Sequence, residues 1–255
     1  MTTRHKPPAP AGLPASGPAS PGRAVRGVLF DVDFTLIYPG LMFQGEGYRA
    51  FCARFGMTAD ASAFDRAVAS ASAILETPED APYDPELYLT YTRHIIEQMG
   101  AAGEQMDACA REIYDEWALC HHFELYDDVP DVLRSLSASG IRVGLVSNSH
   151  RCLSSLASHF GLEGLIDAGI SSSEHGLMKP HPSIFRAALA AMEVDPGEAL
   201  MVGDSVRHDI EGAIRAGMRA ALLHRGQAPH PAASSLNAAG IPVLRSLSEL
   251  LELMD

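Results

Sequence analysis

The sequence predicts an α/β fold: a doubly wound parallel sheet that carries an inserted domain of four helices. Over most of the chain, short apolar runs alternate with longer segments of helical periodicity, which is typical of parallel strands connected by helices. One long interval contains no convincing strand, which indicates an insertion. Polar residues follow several of the apolar runs, at the sheet edge where ligands of such folds bind.

The apolar runs supply the strands of the predicted sheet. They are Gly27–Phe30, Arg142–Ser147, Ala168–Ser171, Ala199–Gly203, Ala220–His224 and Pro242–Leu244. The helices between them are predicted near residues 129–139, 150–160, 182–193, 206–216 and 247–253. This regular alternation makes the core Rossmann-like.

The alternation stops between Tyr38 and Tyr126. Four helix-like segments are predicted there, near residues 45–56, 60–76, 85–99 and 104–122, with no strand among them. We therefore predict a helical cap over residues 39–126 and an α/β core made of residues 25–38 and 127–255. Residues 1–24 are rich in Pro and Ala and are predicted to form a flexible tail.

Composition restricts the possible classes of function. The chain has 255 residues, of which 47% are hydrophobic and 20% charged, the usual balance of a globular protein. Its net charge of −13 would repel a phosphate backbone, so we expect no nucleic-acid partner. No apolar stretch suits a membrane span or a signal peptide, which predicts no membrane partner and a cytoplasmic location. The four cysteines lack CxxC spacing and suit reduced core positions.

Two carboxylates and a hydroxyl follow the first predicted strand. Asp31 and Asp33 are two residues apart, so their side chains point the same way, and Thr35 lies just beyond them. Carboxylates this close repel each other unless a cation lies between them. Taken alone, this Asp-x-Asp pattern fits a solvated turn as well as it fits a functional site.

Two further segments carry groups that suit an anion. Ser147 and Asn148 lie between a strand and a helix, where they could hold an anion or simply cap the helix. Lys179 precedes two prolines that stiffen the chain, so its ammonium offers a fixed charge for a phosphate oxygen. Neither segment is specific without the others.

A fourth segment adds two carboxylates to the same edge of the sheet. Asp204 follows the strand Ala199–Gly203, and Asp209 lies in the first turns of the next helix. Oxygen ligands without His or Cys are typical of a hard cation. These acids, with Asp31 and Asp33, predict Mg²⁺ as the cofactor.

Taken in order, the four segments resemble the motifs of the haloacid dehalogenase-like hydrolase superfamily, in the branch whose helical cap follows the first strand. The matching residues are Asp31-x-Asp33-x-Thr35, Ser147-Asn148, Lys179-Pro-x-Pro-x-x-Phe185 and Gly203-Asp204-Ser205-x-x-x-Asp209. The resemblance runs from Val25 to the C-terminus. Many members have glycine where this chain has Phe34, whose side chain must find room toward the cap.

The resemblance implies a magnesium-dependent phosphohydrolase that cleaves a phosphomonoester. Asp31 would attack phosphorus and form an aspartyl-phosphate, and Asp33 would act as acid and then as base. The cation would be held by Asp31, the backbone carbonyl of Asp33 and Asp204. Thr35 would orient Asp33 through a hydrogen bond.

The remaining motif residues would serve the phosphate. By the same resemblance, Ser147, Asn148 and Lys179 would bind the phosphate oxygens, and Asp209 would position its neighbours from outside the metal site. The expected partner is a small phosphorylated metabolite. Neither its identity nor the choice between monomer and homodimer can be read from the sequence.

Three alternatives stay open beside the phosphatase. A dehalogenase is disfavoured by Asp33, because a halide leaves as a stable anion and needs no proton. A sugar-phosphate mutase would use the same four motifs. A non-catalytic binding module with a proline-rich recruiting tail is disfavoured because every expected catalytic residue is present.

Overall fold

The core is a six-stranded parallel sheet. The structure, a computed structural model, describes residues 24–254. The strands of the sheet are β1 (Gly27–Phe30), β4 (Arg142–Ser147), β5 (Ala168–Ser171), β6 (Ala199–Gly203), β7 (Arg219–Leu223) and β8 (Val243–Leu244). Their order is β5-β4-β1-β6-β7-β8, and every neighbouring pair is parallel. Four strands have the predicted bounds; β7 starts and ends one residue earlier than predicted, and β8 starts one residue later.

Helices cover both faces of this sheet, as a doubly wound fold requires. They are α5 (Val129–Ala138), α6 (Leu153–His159), α7 (Ser172–His175), α8 (Pro182–Met192), α9 (Gly212–Ala216), α10 (Ala233–Ala238) and α11 (Ser248–Met254). Val28 and Phe30 of β1 pack into a core shared with α5, α6 and α11. Leu29 packs on the other face, with α8, α9 and α10. The alternation along β1 follows from the two-residue period of a strand, and the Rossmann-like prediction is confirmed.

The sheet topology brings the polar motifs to one edge. β1 lies between β4 and β6, with Phe30 opposite both Leu145 and Val202. The chain therefore continues to one side of β1 through β4 and to the other through β6. A crevice opens outside the carboxyl ends of the strands at such a switch point. Asp31, Ser147 and Asp204 stand at these ends.

Four α-helices and a small β-ladder form the insertion. The helices are α1 (Gly45–Arg54), α2 (Phe64–Ala71), α3 (Pro85–Gln98) and α4 (Met106–Trp117), as expected from their periodicity. The prediction of no strand in this interval was wrong, because β2 (Ile37–Pro39) pairs antiparallel with β3 (Phe123–Leu125). Strands of three residues are too short to show a period of two. The ladder joins the two ends of the insertion, where Tyr38 Oη donates to Glu124 (2.7 Å).

Two sequence-based expectations fall outside what the structure describes or tests. The predicted flexible tail, residues 1–24, lies outside the described residues except for its last position. The domain boundaries after residues 38 and 126 stay predictions. Across residues 24–254, no helix combines the length and the apolar composition needed to cross a bilayer.

Candidate active site

Asp31 is held in a nearly buried position at the carboxyl end of β1. Its backbone N–H donates to Val202 O (2.9 Å), which ties it to β6. Its carboxylate accepts from Thr35 Oγ1 (3.0 Å), so the prediction that Thr35 orients Asp33 is corrected: Thr35 contacts Asp31. The cause is the tight turn after β1, in which the backbone N–H of Thr35 reaches back to Val32 O (3.3 Å). Desolvation raises the pKa of Asp31, and the charge of Lys179 partly offsets this effect.

Lys179 is the buried cation at the centre of the cleft. Its ammonium donates to Asp31 Oδ1 (2.5 Å) and to Asp209 Oδ1 (2.6 Å), and the side chain is 2% exposed. Burial by itself would lower the pKa of Lys179, but the charges of Asp209 and Asp31 outweigh it and raise the pKa. The lysine is therefore fully charged at neutral pH.

Two hydrogen bonds between the Asn148 side chain and the Lys179 backbone fix the loop that carries Lys179. Asn148 Oδ1 accepts from the Lys179 N–H (2.7 Å), and Asn148 Nδ2 donates to Lys179 O (2.9 Å). The sequence predicted that both Asn148 and Lys179 bind the phosphate. The structure brings the two residues together through these hydrogen bonds. Ser147 is buried beside them and donates its hydroxyl to Ser149 Oγ (2.9 Å).

Asp204 and Asp209 follow β6. Asp209 lies in a π-helical turn, Val206–Glu211, and its Oδ2 accepts from the Ser205 N–H (2.9 Å). Gly203 is required here, since a Cβ at that position would lie 2.3 Å from Asp209 Oδ2. The pKa of Asp204 is raised to about 8, mainly by desolvation and to a smaller extent by repulsion from Asp31 and Asp209. Asp204 is nevertheless exposed to the cleft, so water or a bound cation can relieve this repulsion.

The carboxylates of Asp31, Asp204 and Asp209 form a cluster that fits a hard cation. One oxygen from each lies within 4.8 Å of the others. Oxygen donors of this kind suit Mg²⁺, which keeps some of its waters and takes few protein ligands. Asp209 belongs to this group by position, although the sequence had assigned it a positioning role outside the metal site. Its Oδ1 is bonded to Lys179, which agrees with that assignment.

Asp33 faces a partner that the sequence did not reveal. Arg151 Nη1 donates to both carboxylate oxygens of Asp33 (2.8 and 3.1 Å). Arg151 Nη2 donates to Trp117 O at the end of α4 (2.7 Å), and the guanidinium lies 4.3 Å from the centre of the Phe123 ring. The arginine is buried, and the groups it contacts belong to the turn after β1, to α4 and to β3. No local pattern marks it, because these partners lie far away in sequence; only its position four residues after Ser147 hints at the site.

Comparison with known proteins agrees with this geometry. The family model described as haloacid dehalogenase-like hydrolase matches residues 25–217, which is most of the chain and includes every residue of the cleft. The chain belongs to the haloacid dehalogenase-like hydrolases. The superfamily indicated by the four motifs is thereby confirmed, and the branch with a helical cap after the first strand stays a prediction.

The relatives and structural neighbours of this hydrolase are described by different enzyme names. It is 33% identical over 144 residues to a phosphoserine phosphatase of Thermus thermophilus, which covers 54% of each chain. It is 29% identical to a glyceraldehyde 3-phosphate phosphatase of Methanopyrus kandleri, over 80% of this chain and 85% of that one. The crystal structure of a putative beta-phosphoglucomutase from Thermotoga maritima has the same fold, with a TM-score of 0.66 at 19% identity, over 90% of this chain and 98% of that one. Among the curated relatives, several are matched over only about half of their length.

Proposed function

We propose that this hydrolase is a magnesium-dependent phosphatase that cleaves a small-molecule phosphomonoester through an aspartyl-phosphate on Asp31. The observation that carries the proposal is the convergence of Asp31, Asp204 and Asp209 around the buried ammonium of Lys179. Phosphoryl transfer depends mainly on positioning and on neutralising charge, and this edge of the sheet is equipped for both. The phosphatase names of two relatives support the same reaction class.

Asp31 is the proposed nucleophile. Thr35 donates to one of its carboxylate oxygens and Lys179 to the other, which restrains the orientation of the carboxylate. As an oxygen of Asp31 bonds to phosphorus, the bond from phosphorus to the alcohol oxygen breaks. Lys179, with Ser147 and Asn148 beside it, is proposed to bind the phosphate oxygens during this transfer.

Asp33 is the proposed acid and base. It would give its proton to the departing alcohol oxygen and then take one from the water that hydrolyses the aspartyl-phosphate. Arg151 is a positioning residue for this step, because it grips both oxygens of the Asp33 carboxylate and is itself tied to α4. Closure of the cap, residues 39–126, would exclude bulk water.

Mg²⁺ would supply positive charge for the phosphate and the aspartate nucleophile. We propose that Asp31, Asp204 and the backbone carbonyl of Asp33 hold it, with Asp209 steadying Lys179 and the Ser205 N–H. The expected partner is a small phosphorylated metabolite. The cytoplasmic location expected from the sequence stays a prediction.

Asp31→Asn tests the proposal. Phosphate release from methyl phosphate in Mg²⁺ should fall by roughly a thousandfold or more, since the nucleophile is lost. The matched control is Asp80→Asn, which makes the same change at an exposed loop position and should keep full activity. An unchanged rate in Asp31→Asn would eliminate the covalent mechanism.

Asp33→Asn separates the two proton transfers. With p-nitrophenyl phosphate, whose leaving group needs no proton, the variant should release a burst of nitrophenol and then stall as aspartyl-phosphate. Acid quenching followed by intact-mass measurement would detect the trapped phosphate on Asp31. A steady rate without a burst, equal to that of the unaltered chain, would contradict the role of Asp33.

A further inference from the structure

A cavity of about 400 Å³ adjoins the proposed reaction centre. Asp33 and Asn148 line one side of it, and α1, α2, α3 and α4 of the cap line the other. Asp33 is the proposed donor of a proton to the leaving oxygen. The alcohol that carries this oxygen must therefore lie in the cavity, so the walls of the cavity decide which alcohol fits.

The walls are aromatic and aliphatic. Rings from Tyr48, Phe64, Tyr91 and Trp117 line the cavity, together with aliphatic side chains such as that of Val68. Among residues 24–254, no lysine or arginine lines it, and Asp33 is its one carboxylate. A charged or polyhydroxylated alcohol would lose water here and find few partners in return.

Apart from Asp33, the polar groups at the wall are uncharged; two tyrosine hydroxyls are already hydrogen-bonded within the protein, while the buried His150 Nε2 has no partner in the described part of the chain. Tyr88 Oη donates to Asn148 O (3.0 Å), and the hydroxyls of Tyr114 and Tyr83 bond to each other. The His150 ring stacks on Tyr114 with 3.9 Å between ring centres. Desolvation lowers the pKa of His150, so the imidazole is neutral at physiological pH and adds no cation.

Phe34 provides a second, independent observation. Its backbone has φ +63°, a left-handed conformation that is strained for an aromatic residue, and its side chain is 47% exposed. A ring that is half in solvent gains little from burial within the fold. Phe34 lines the cavity and retains a strained backbone conformation, which points to a role in binding.

We propose that the substrate is a phosphomonoester of an uncharged arylalkyl alcohol, with its aromatic group in this cavity and against Phe34. The inference rests on the proposed phosphatase function and specifies its substrate class. Stacking on the aromatic wall and removal of apolar surface from water would favour this group over sugars and amino acids.

The test compares primary alkyl phosphates, so that intrinsic reactivity is similar. We expect kcat/KM for 2-phenylethyl phosphate to exceed that for glucose 6-phosphate and phosphoserine by roughly 100-fold. If either polar ester is the better substrate, the inference is overturned and the phosphatase function stands. If the chain hydrolyses no phosphate ester, methyl phosphate included, the proposed function fails.

Binding can be measured without catalysis. Trp117 lines the cavity and is the one tryptophan of the sequence. Adding 2-phenylethyl phosphate to the Asp31→Asn variant should change the fluorescence of Trp117 saturably, while glucose 6-phosphate at the same concentration should not. If the fluorescence changes in this way but the unaltered chain hydrolyses no phosphate ester, the proposed reaction is wrong and the proposed ligand class stands. Equal responses to both esters, or none, would overturn the ligand class.

Two variants locate the preference in the cavity wall. Phe34→Gly should lower kcat/KM for 2-phenylethyl phosphate roughly tenfold through KM, a larger factor than for methyl phosphate. Val68→Lys should shift preference from 2-phenylethyl phosphate toward phosphoglycolate, whose carboxylate the new ammonium can pair. The matched control is Val25→Lys, at a partly exposed valine before β1. Equal effects of the two lysine substitutions, or no effect of Phe34→Gly, would contradict the inference.

Discussion

Replacing Lys179 with Met would test the electrostatics of the cleft directly. The change removes an ammonium that contacts Asp31 and Asp209 at 2.5 and 2.6 Å, and the two carboxylates stay nearly buried. Met has a similar length and can fill the space, so the loss of packing is small. The effect measured is therefore mainly that of two buried acids left without their cation.

The expected loss in the free energy of unfolding is about 3–5 kcal/mol, the usual cost of removing one partner from a buried ion pair. This is a large share of a total stability of about 5–15 kcal/mol. Arg26→Met is the matched control, because Arg26 is 64% exposed and its bond to Glu198 is 3.2 Å long. A surface pair of this kind contributes about 0–1 kcal/mol.

Urea unfolding in EDTA at neutral pH measures both variants. The stability deficit of Lys179→Met should narrow as the pH is lowered, because Asp31, whose pKa is raised above its ordinary value, then takes up a proton in the folded state. Saturating Mg²⁺ should also narrow the deficit, because the carboxylates that have lost Lys179 bind the cation more tightly in the variant than in the unaltered chain. If Lys179→Met costs no more than Arg26→Met and shows no such response, the cleft does not hold a cluster of ionised carboxylates around Lys179.

Three other predictions address the same cleft. Arg151→Met should lower the free energy of unfolding by about 2–4 kcal/mol, because Asp33 loses the guanidinium that holds its carboxylate. The substitution should also affect kcat more than KM. Urea titration and steady-state kinetics would check these two effects. Gly203→Ala should cost about 1–3 kcal/mol, because the new methyl group meets Asp209, and equal urea midpoints for variant and parent would contradict the close contact. The pKa of Asp204 is raised to about 8 in the folded chain, from about 3.9 in the unfolded chain. In EDTA, the free energy of unfolding should therefore fall as the pH rises between these two values. A free energy of unfolding that does not change with pH over this range would contradict the raised pKa.

The sequence predicted the strand-end residues because chemistry and topology agree there. In a parallel sheet, residues that follow strands meet at one edge, so Asp31, Asn148 and Asp204 could be grouped without coordinates. The four cap helices were predicted for a similar reason, since helical periodicity is visible over ten or more residues. Both inferences used information local to each segment.

The missed features depend on distant contacts. Arg151 acquires its role from Asp33 and Trp117, which lie far from it in sequence, so its position after a strand gave no indication of burial. The Thr35 hydroxyl was assigned to the wrong aspartate because the tight turn after β1 brings it back to Asp31. The three-residue strands of the β2–β3 ladder are stabilised by pairing with each other, which neither segment reveals alone.

The charges of the cleft link metal and phosphate binding. When all three carboxylates are ionised, Asp31, Asp204 and Asp209 together with Lys179 carry a formal charge of two negative units, which repels a phosphate dianion. The apolar cavity wall offers no countercharge, so neutralisation has to come from the strand-end side. A divalent cation brings the cluster to neutrality and leaves the Lys179 ammonium available to the phosphate. We therefore expect phosphate to bind much more weakly without Mg²⁺, and Mg²⁺ and phosphate to strengthen each other's binding by the same factor, because linkage is reciprocal.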